Sequence, residues 1–147
     1  TRPVAGADYW RGPGLKAWIA EQVFRAVLID RDPAKRQTDP VETVANVLRG
    51  GEDVIFFPEG TRNLTDTPLL PLKSGIFHLA HAAPGAEIVP AWILNLDRIL
   101  PKGAILPVPL NCAVRFGPPL RPGTDESRDA FLIRLAEAML ALADPRS

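Results

Sequence analysis

A single cysteine, Cys112, stands in the 147 residues. That excludes an internal disulfide framework and any zinc cluster built on thiolates of this chain. Its neighbours, residues 110–116, read as a strand, so the thiol is expected as a small buried apolar group rather than a nucleophile. Long hydrophobic runs are missing too. The longest, around residues 88–96, is broken by Pro90 and falls short of the about 18 apolar residues a membrane span needs. No secretory signal pattern opens the chain, and it starts at Thr1 rather than methionine, so the natural N-terminus is expected elsewhere. Net charge is absent: 17 basic residues balance 17 acidic ones, which removes the electrostatic case for nucleic-acid binding. Histidine is scarce, with only His78 and His81. At i and i+3 they share a helix face, but no acidic or cysteine partner stands at ligand spacing. They are expected as partly buried helix residues, and no metal site is expected.

What remains is the composition of an ordinary globular domain, 46% hydrophobic and 23% charged. The length fits one domain spanning residues 1–147, able to bury roughly two-thirds of the surface of its unfolded chain. Most basic residues are arginine, whose planar fork suits phosphate and carboxylate. A small anionic substrate is therefore compatible with zero net charge.

Along the chain, residues 4–7 read as a short strand. Residues 15–24 carry Leu15, Trp18, Ile19 and Val23 at helical spacing after the Gly12-Pro13-Gly14 breaker. Residues 26–29 are of strand length and end at Asp30-Arg31. A helix is then expected with Asp39 as N-cap, Pro40 as first residue and Val44, Val47 and Leu48 on one face, stopped by Gly50-Gly51. Val54-Ile55-Phe56-Phe57 is a continuous apolar run, the pattern of a strand buried on both faces. Residues 58–72 form a long proline-bearing loop, a place to expect function. A helix over 74–83, a strand over 87–94, an irregular stretch over 95–109 and a strand over 111–116 follow. Residues 125–142 form an amphipathic helix, apolar at Phe131, Leu132, Leu135, Met139 and Leu142. Its polar face is mixed rather than basic, so sheet packing is preferred over membrane binding. Tyr9, Trp10 and Trp18 suit a membrane-contact patch or ordinary packing, with packing preferred. The alternation of strand and helix predicts an α/β layered fold with a largely parallel sheet flanked by helices.

The candidate site is Phe57-Pro58-Glu59-Gly60-Thr61-Arg62, which leaves the clearest strand at its carboxyl end, where open α/β sheets place their ligands. Gly60 permits a tight turn and close approach of a ligand to the backbone. Glu59 can accept bonds from hydroxyls, Thr61 adds a hydroxyl, and Arg62 can grip a phosphate with two parallel charge-assisted bonds. The plain alternative is a surface ion pair between Glu59 and Arg62, worth under about 1 kcal/mol.

This six-residue run resembles the FPEGTR motif of the glycerolipid acyltransferases, the 1-acylglycerol-3-phosphate O-acyltransferase family. Leu28-Ile29-Asp30-Arg31 is similar to the family's upstream element. Leu72-Lys73-Ser74-Gly75 and Val89-Pro90-Ala91 resemble two later ones, in the same order. Residues 97–103 and 114–120 extend the likeness over nearly the whole chain. The resemblance implies a glycerol-3-phosphate acyltransferase-like fold and acyl transfer from acyl-CoA or acyl carrier protein, as co-substrate and with no further cofactor. The acceptor would be a lysophosphatidate-type lipid, bound through Glu59, Gly60, Thr61 and Arg62, with Arg31 and Lys73 as further cations. Val89, Pro90 and Ala91 would line the acyl or pantetheine region. The family's general base is the histidine of an H-x-x-x-x-D motif, and neither His78 (then Ala83) nor His81 (then Ala86) completes one. Arg2-Pro3-Val4 looks like the segment that follows it. The expectation is thus an acyltransferase domain incomplete at its N-terminus, with the base upstream of Thr1, no catalytic residue among the 147, and a place at the cytoplasmic face of a membrane. The alternative is a non-catalytic lipid-phosphate or acyl-binding domain of the same fold; a soluble domain for another phosphorylated metabolite is the third reading.

Overall fold

In the computed structural model the described residues are 1–6, 25–29, 38–94 and 113–143. The expected helix over 15–24, the aromatic residues Tyr9, Trp10 and Trp18, the pair Asp30-Arg31, Cys112 and the stretch 95–109 lie outside them. The contacts divide the chain into two compact units, one of Thr1–Arg62 with Pro71–Ala86, the other of Asn63–Leu70 with Glu87–Ser147.

The first unit is built on three parallel strands: β1 (Arg2–Gly6), β2 (Val27–Ile29) and β3 (Val54–Ile55). β1 is central, in the order β2-β1-β3, with Val4 opposite Val27 and Arg2 opposite Val54. Parallel neighbours require crossovers. The connection from β2 to β3, which passes β1 from one edge of the three strands to the other, carries α1 (Pro40–Arg49). Its start follows from local chemistry: Asp39 is extended, its Oδ1 accepts the Val41 N–H at 2.9 Å, and Pro40 lacks the donor the first turn would leave orphaned. Its end is just as local. The Gly50 N–H reaches Asn46 O and the Gly51 N–H reaches Leu48 O, with Gly51 at φ +79°, a conformation that favours glycine. Val44 and Ala45 are buried in the face toward β2 and β3.

α2 (Gly75–Ala82) packs on α1 and contributes Ile76 and Leu79 to a core shared with Val4, Val27 and Val44. Arg49, at the end of α1, donates 2.8 Å to Ala82 O at the end of α2 while gripping Glu42 at 2.6 Å. One guanidinium thus closes an ion pair along α1 and satisfies a terminal carbonyl of its neighbour.

The run 54–57 departs from the sequence expectation. Only Val54 and Ile55 pair with β1, and Ile55 and Phe57 are 48% and 60% exposed. Pro3 stands opposite Ile55 and brings no N–H to the ladder, which accounts for its early end. Among the described residues a helix covers one face of β3, so its side chains alternate in exposure instead of being buried on both faces.

The second unit pairs β4 (Ala91–Leu94) with β5 (Ala113–Phe116) antiparallel, Ala91 opposite Phe116 and Ile93 opposite Val114. A bridge between Ile88 and Leu120 extends the pairing around Pro90, whose carbonyl accepts the Gly117 N–H at 2.9 Å. The expected strand 87–94 is therefore real pairing interrupted at a proline. α3 (Arg128–Ala143) lies on β4 and buries Phe131 and Leu135 completely or nearly so. It starts three residues later than the expected Asp125. Ser127 is the cap, its hydroxyl accepting the Ala130 N–H at 3.2 Å. Glu126 is turned back: it accepts from the Gly123 N–H at 2.9 Å and from Arg134 at 2.9 and 2.7 Å. Residues 63–70 form an exposed turn in which Asn63 Oδ1 accepts the Thr65 N–H at 2.9 Å and Asn63 Nδ2 donates to Thr67 O at 2.7 Å.

Candidate functional site

Parallel strands send their following loops out at one edge, so the chain leaves β2 at Ile29 and β3 at Ile55 on the same side of the sheet. At that side residues 57–60 close a tight turn. The Gly60 N–H donates to Phe57 O at 3.0 Å, and Gly60 adopts φ +69°. Glu59 is half-buried, while Gly60, Thr61 and Arg62 are exposed.

Three contacts stitch this turn to the start of α2. The Phe56 ring comes to 3.7 Å from where a Cβ of Gly75 would stand. The Lys73 N–H donates to Pro58 O at 2.7 Å. Lys73 Cγ lies 3.2 Å from where a Cβ of Gly60 would stand. The last contact changes the reading of Gly60. The space freed by its missing side chain is taken by the chain's own lysine stem, so it is not an opening for a ligand to reach the backbone from that direction. Five of the six residues assigned from sequence, Glu59, Gly60, Thr61, Arg62 and Lys73, are thus brought to one turn. Arg31 lies outside the described residues. What sequence reasoning missed is the pinning of 56–60 by 73–75; twelve residues lie between Gly60 and Lys73, and no local pattern signals the contact.

The two edges of the sheet differ in charge. At the amino edge Glu52 binds Arg2 at 3.2 Å and Arg25 at 3.7 Å, and Arg2 Nε donates to Arg25 O at 2.7 Å. At the carboxyl edge Arg62 and Lys73 are in no ion pair among the described residues, so the Arg62–Glu59 surface pair is not formed. The first turn of α2 carries no acidic residue, and Ser74 makes no side-chain cap bond. The helix's own first turn therefore supplies nothing to offset its positive end next to Lys73.

His78 and His81 are both exposed rather than partly buried. α2 turns Ile76 and Leu79 inward, which puts the histidines on the solvent side, where His81 Nδ1 lies 2.9 Å from Phe77 O and its ring 4.4 Å from the Phe77 ring. Among the described residues no cluster of three or more His, Cys, Asp or Glu side chains can hold a metal. No helix among them is long and apolar enough to cross a membrane.

The model of the Acyltransferase family matches residues 1–94, from β1 through β4 and across the whole turn. The chain belongs to the acyltransferase family. The chain is 36% identical over 77 residues to a 1-acyl-sn-glycerol-3-phosphate acyltransferase of Chlamydomonas reinhardtii, a match covering 52% of this chain and 23% of that protein. A chloroplastic 1-acyl-sn-glycerol-3-phosphate acyltransferase of Brassica napus is 33% identical over 85 residues, covering 58% of this chain and 24% of its own length. The chain thus aligns with about a quarter of the curated relatives it matches. The crystal structure of the 1-acyl-sn-glycerophosphate (LPA) acyltransferase PlsC from Thermotoga maritima shares the fold, with a TM-score of 0.72 over 96% of this chain and 55% of that one, at 20% identity.

Proposed function

We propose that this acyltransferase chain holds the acceptor for acyl transfer from acyl-CoA or acyl carrier protein to the hydroxyl of a lysophosphatidate-type lipid, in phospholipid synthesis. The observation that carries the reading is the carboxyl-edge turn, where Arg62 and Lys73 are exposed and in no ion pair among the described residues, next to Glu59. Two cations and a carboxylate on one turn match a phosphate joined to a hydroxyl-bearing glycerol. Arg31, after β2, would add a third cation. In the transfer the acceptor oxygen bonds to the thioester carbonyl carbon, the carbon–sulfur bond breaks, the thiol leaves, and the hydroxyl proton passes to a base. No base is assigned to this chain, since neither histidine completes the H-x-x-x-x-D pattern. The acyl donor is a co-substrate, and no metal or other cofactor enters the reading. A lipid acceptor is met at a membrane surface, and this reading takes the cytoplasmic face as the place of the work.

A second reading, a lipid-phosphate or acyl-binding domain without turnover, draws on the same turn, since Glu59, Arg62 and Lys73 would hold a phosphorylated lipid with or without transfer. Calorimetry with lysophosphatidate below its aggregation concentration tests what the two readings share. Arg62→Ala is expected to weaken binding at least about ten-fold, the loss of a charge-assisted phosphate contact. Unchanged affinity would remove Arg62 from the acceptor site. Release of thiol from acyl-CoA in the presence of acceptor is expected to be absent with these 147 residues, which carry no assigned base, and robust turnover by them would overturn that assignment.

A further inference from the structure

A glycine with positive φ inside a functional turn is costly to order, because glycine has the most backbone freedom to lose. Besides its own bond from Gly60 N–H to Phe57 O at 3.0 Å, the turn at 57–60 is held at two points from the segment leading into α2. Both holds come from one residue. The Lys73 backbone N–H fixes the Pro58 carbonyl at 2.7 Å, and the Lys73 stem covers the bare side of Gly60, 3.2 Å from the missing Cβ. Glu59 lies between the two points held, and Arg62 follows two residues after the second. Behind Lys73, the Phe56 ring rests against Gly75 at the start of α2, so the lysine backbone is anchored to a helix whose Ile76 and Leu79 are buried in the core.

We infer that Lys73 is a positioning residue for the acceptor turn: its aliphatic stem, apart from its charge, holds Gly60 in the left-handed conformation that sets where Glu59 and Arg62 are presented. The inference rests on the acceptor-binding reading for its functional consequence, while the stem contact stands on geometry alone. Long cationic side chains contribute through packing of their stems as well as through their charge, so the two contributions are separable by substitution. Lys73→Met keeps a Cγ and an unbranched stem without the ammonium. Lys73→Ala removes both, and Lys73→Arg keeps both. A held turn presents its charged groups without further ordering on binding, so a loose one loses affinity beyond the loss of one charge.

The experiment uses the full chain and two readouts, amide hydrogen exchange at Gly60 and calorimetric affinity for lysophosphatidate. Lys73→Ala is expected to speed Gly60 exchange about ten-fold, with Lys73→Met and Lys73→Arg within about two-fold of the unaltered chain. Affinity is expected to fall in Lys73→Met from the lost charge, and about five-fold further in Lys73→Ala. Equal exchange and equal affinity in the Met and Ala variants would overturn the inference, leaving Lys73 as a charge only. If the unaltered chain binds no lysophosphatidate while the exchange pattern still separates Ala from Met, the acceptor reading fails and the hold of Lys73 on the turn stands. Should Lys73→Ala fail to fold, Lys73→Ser is read in its place, since it keeps none of the aliphatic stem beyond Cβ and carries only a small γ-hydroxyl.

Discussion

The backbone N–H of Lys73 donates to the carbonyl of Pro58 at 2.7 Å, tying together the two ends of a fourteen-residue excursion between β3 and α2. Closing a loop of that length by chance is entropically costly, and the cost grows only slowly with further length. This bond, with the Lys73 stem against Gly60 and the Phe56 ring against Gly75, fixes residues 56–60 relative to residues 73–75. The functional consequence is a turn fixed at its root, with exposed charges beyond it.

Gly60→Ala is expected to destabilise the turn by about 1–2 kcal/mol, since φ +69° is unfavourable for any residue with a Cβ. The added methyl would also meet Lys73 Cγ at 3.2 Å. Combining it with Lys73→Ala removes the contact and leaves the φ penalty, so a double-mutant cycle in urea isolates the contact itself. Strict additivity would show that the two residues do not press on each other.

Asp39→Ala is expected to cost about 1 kcal/mol, the value of a helix N-cap, because Val41 N–H loses its 2.9 Å acceptor. Asp39→Asn should recover most of it. Urea midpoints at neutral pH measure both variants, and an Ala variant as stable as the unaltered chain would deny the cap any role.

Glu126 supplies the pH dependence. The hydrogen bonds from Arg134, then that from the Gly123 N–H, lower its pKa from 4.5 to about 2. A carboxylate whose folded pKa is depressed stabilises the fold above its unfolded pKa, near 4.3, and that contribution is lost as pH falls through the folded value. Stability should therefore drop between about pH 4 and pH 2 more steeply in the unaltered chain than in Glu126→Gln. Urea midpoints over that range would read the difference, and parallel curves would show that the Arg134 pair does not couple to folding.

α1 was legible in the sequence to the residue, from the Asp39 cap and Pro40 to the Gly50-Gly51 stop, because capping and glycine chemistry act within one turn of chain. The turn that follows β3 was legible for a related reason: Phe57 to Arg62 is contiguous, so proline and glycine mark it within one stretch. α3 was legible in its core positions, with Phe131 and Leu135 buried, but its start moved to Arg128 because the Glu126 carboxylate was drawn to Gly123 and Arg134, eight residues ahead.

By itself the sequence determined what depends on neighbours along the chain: helix ends, the apolar stripes, the order of motifs and the charges of the turn. Tertiary structure alone decided what depends on neighbours in space. Whether Ile55 and Phe57 are covered depends on which face of β3 receives a helix, and an apolar run does not encode that. Whether His78 and His81 face solvent depends on which side of α2 meets α1. What fills the space over Gly60 depends on Lys73, thirteen positions along the chain and just before the start of α2. A glycine in a sequence marks only an absence of volume, and the fold chooses what occupies it.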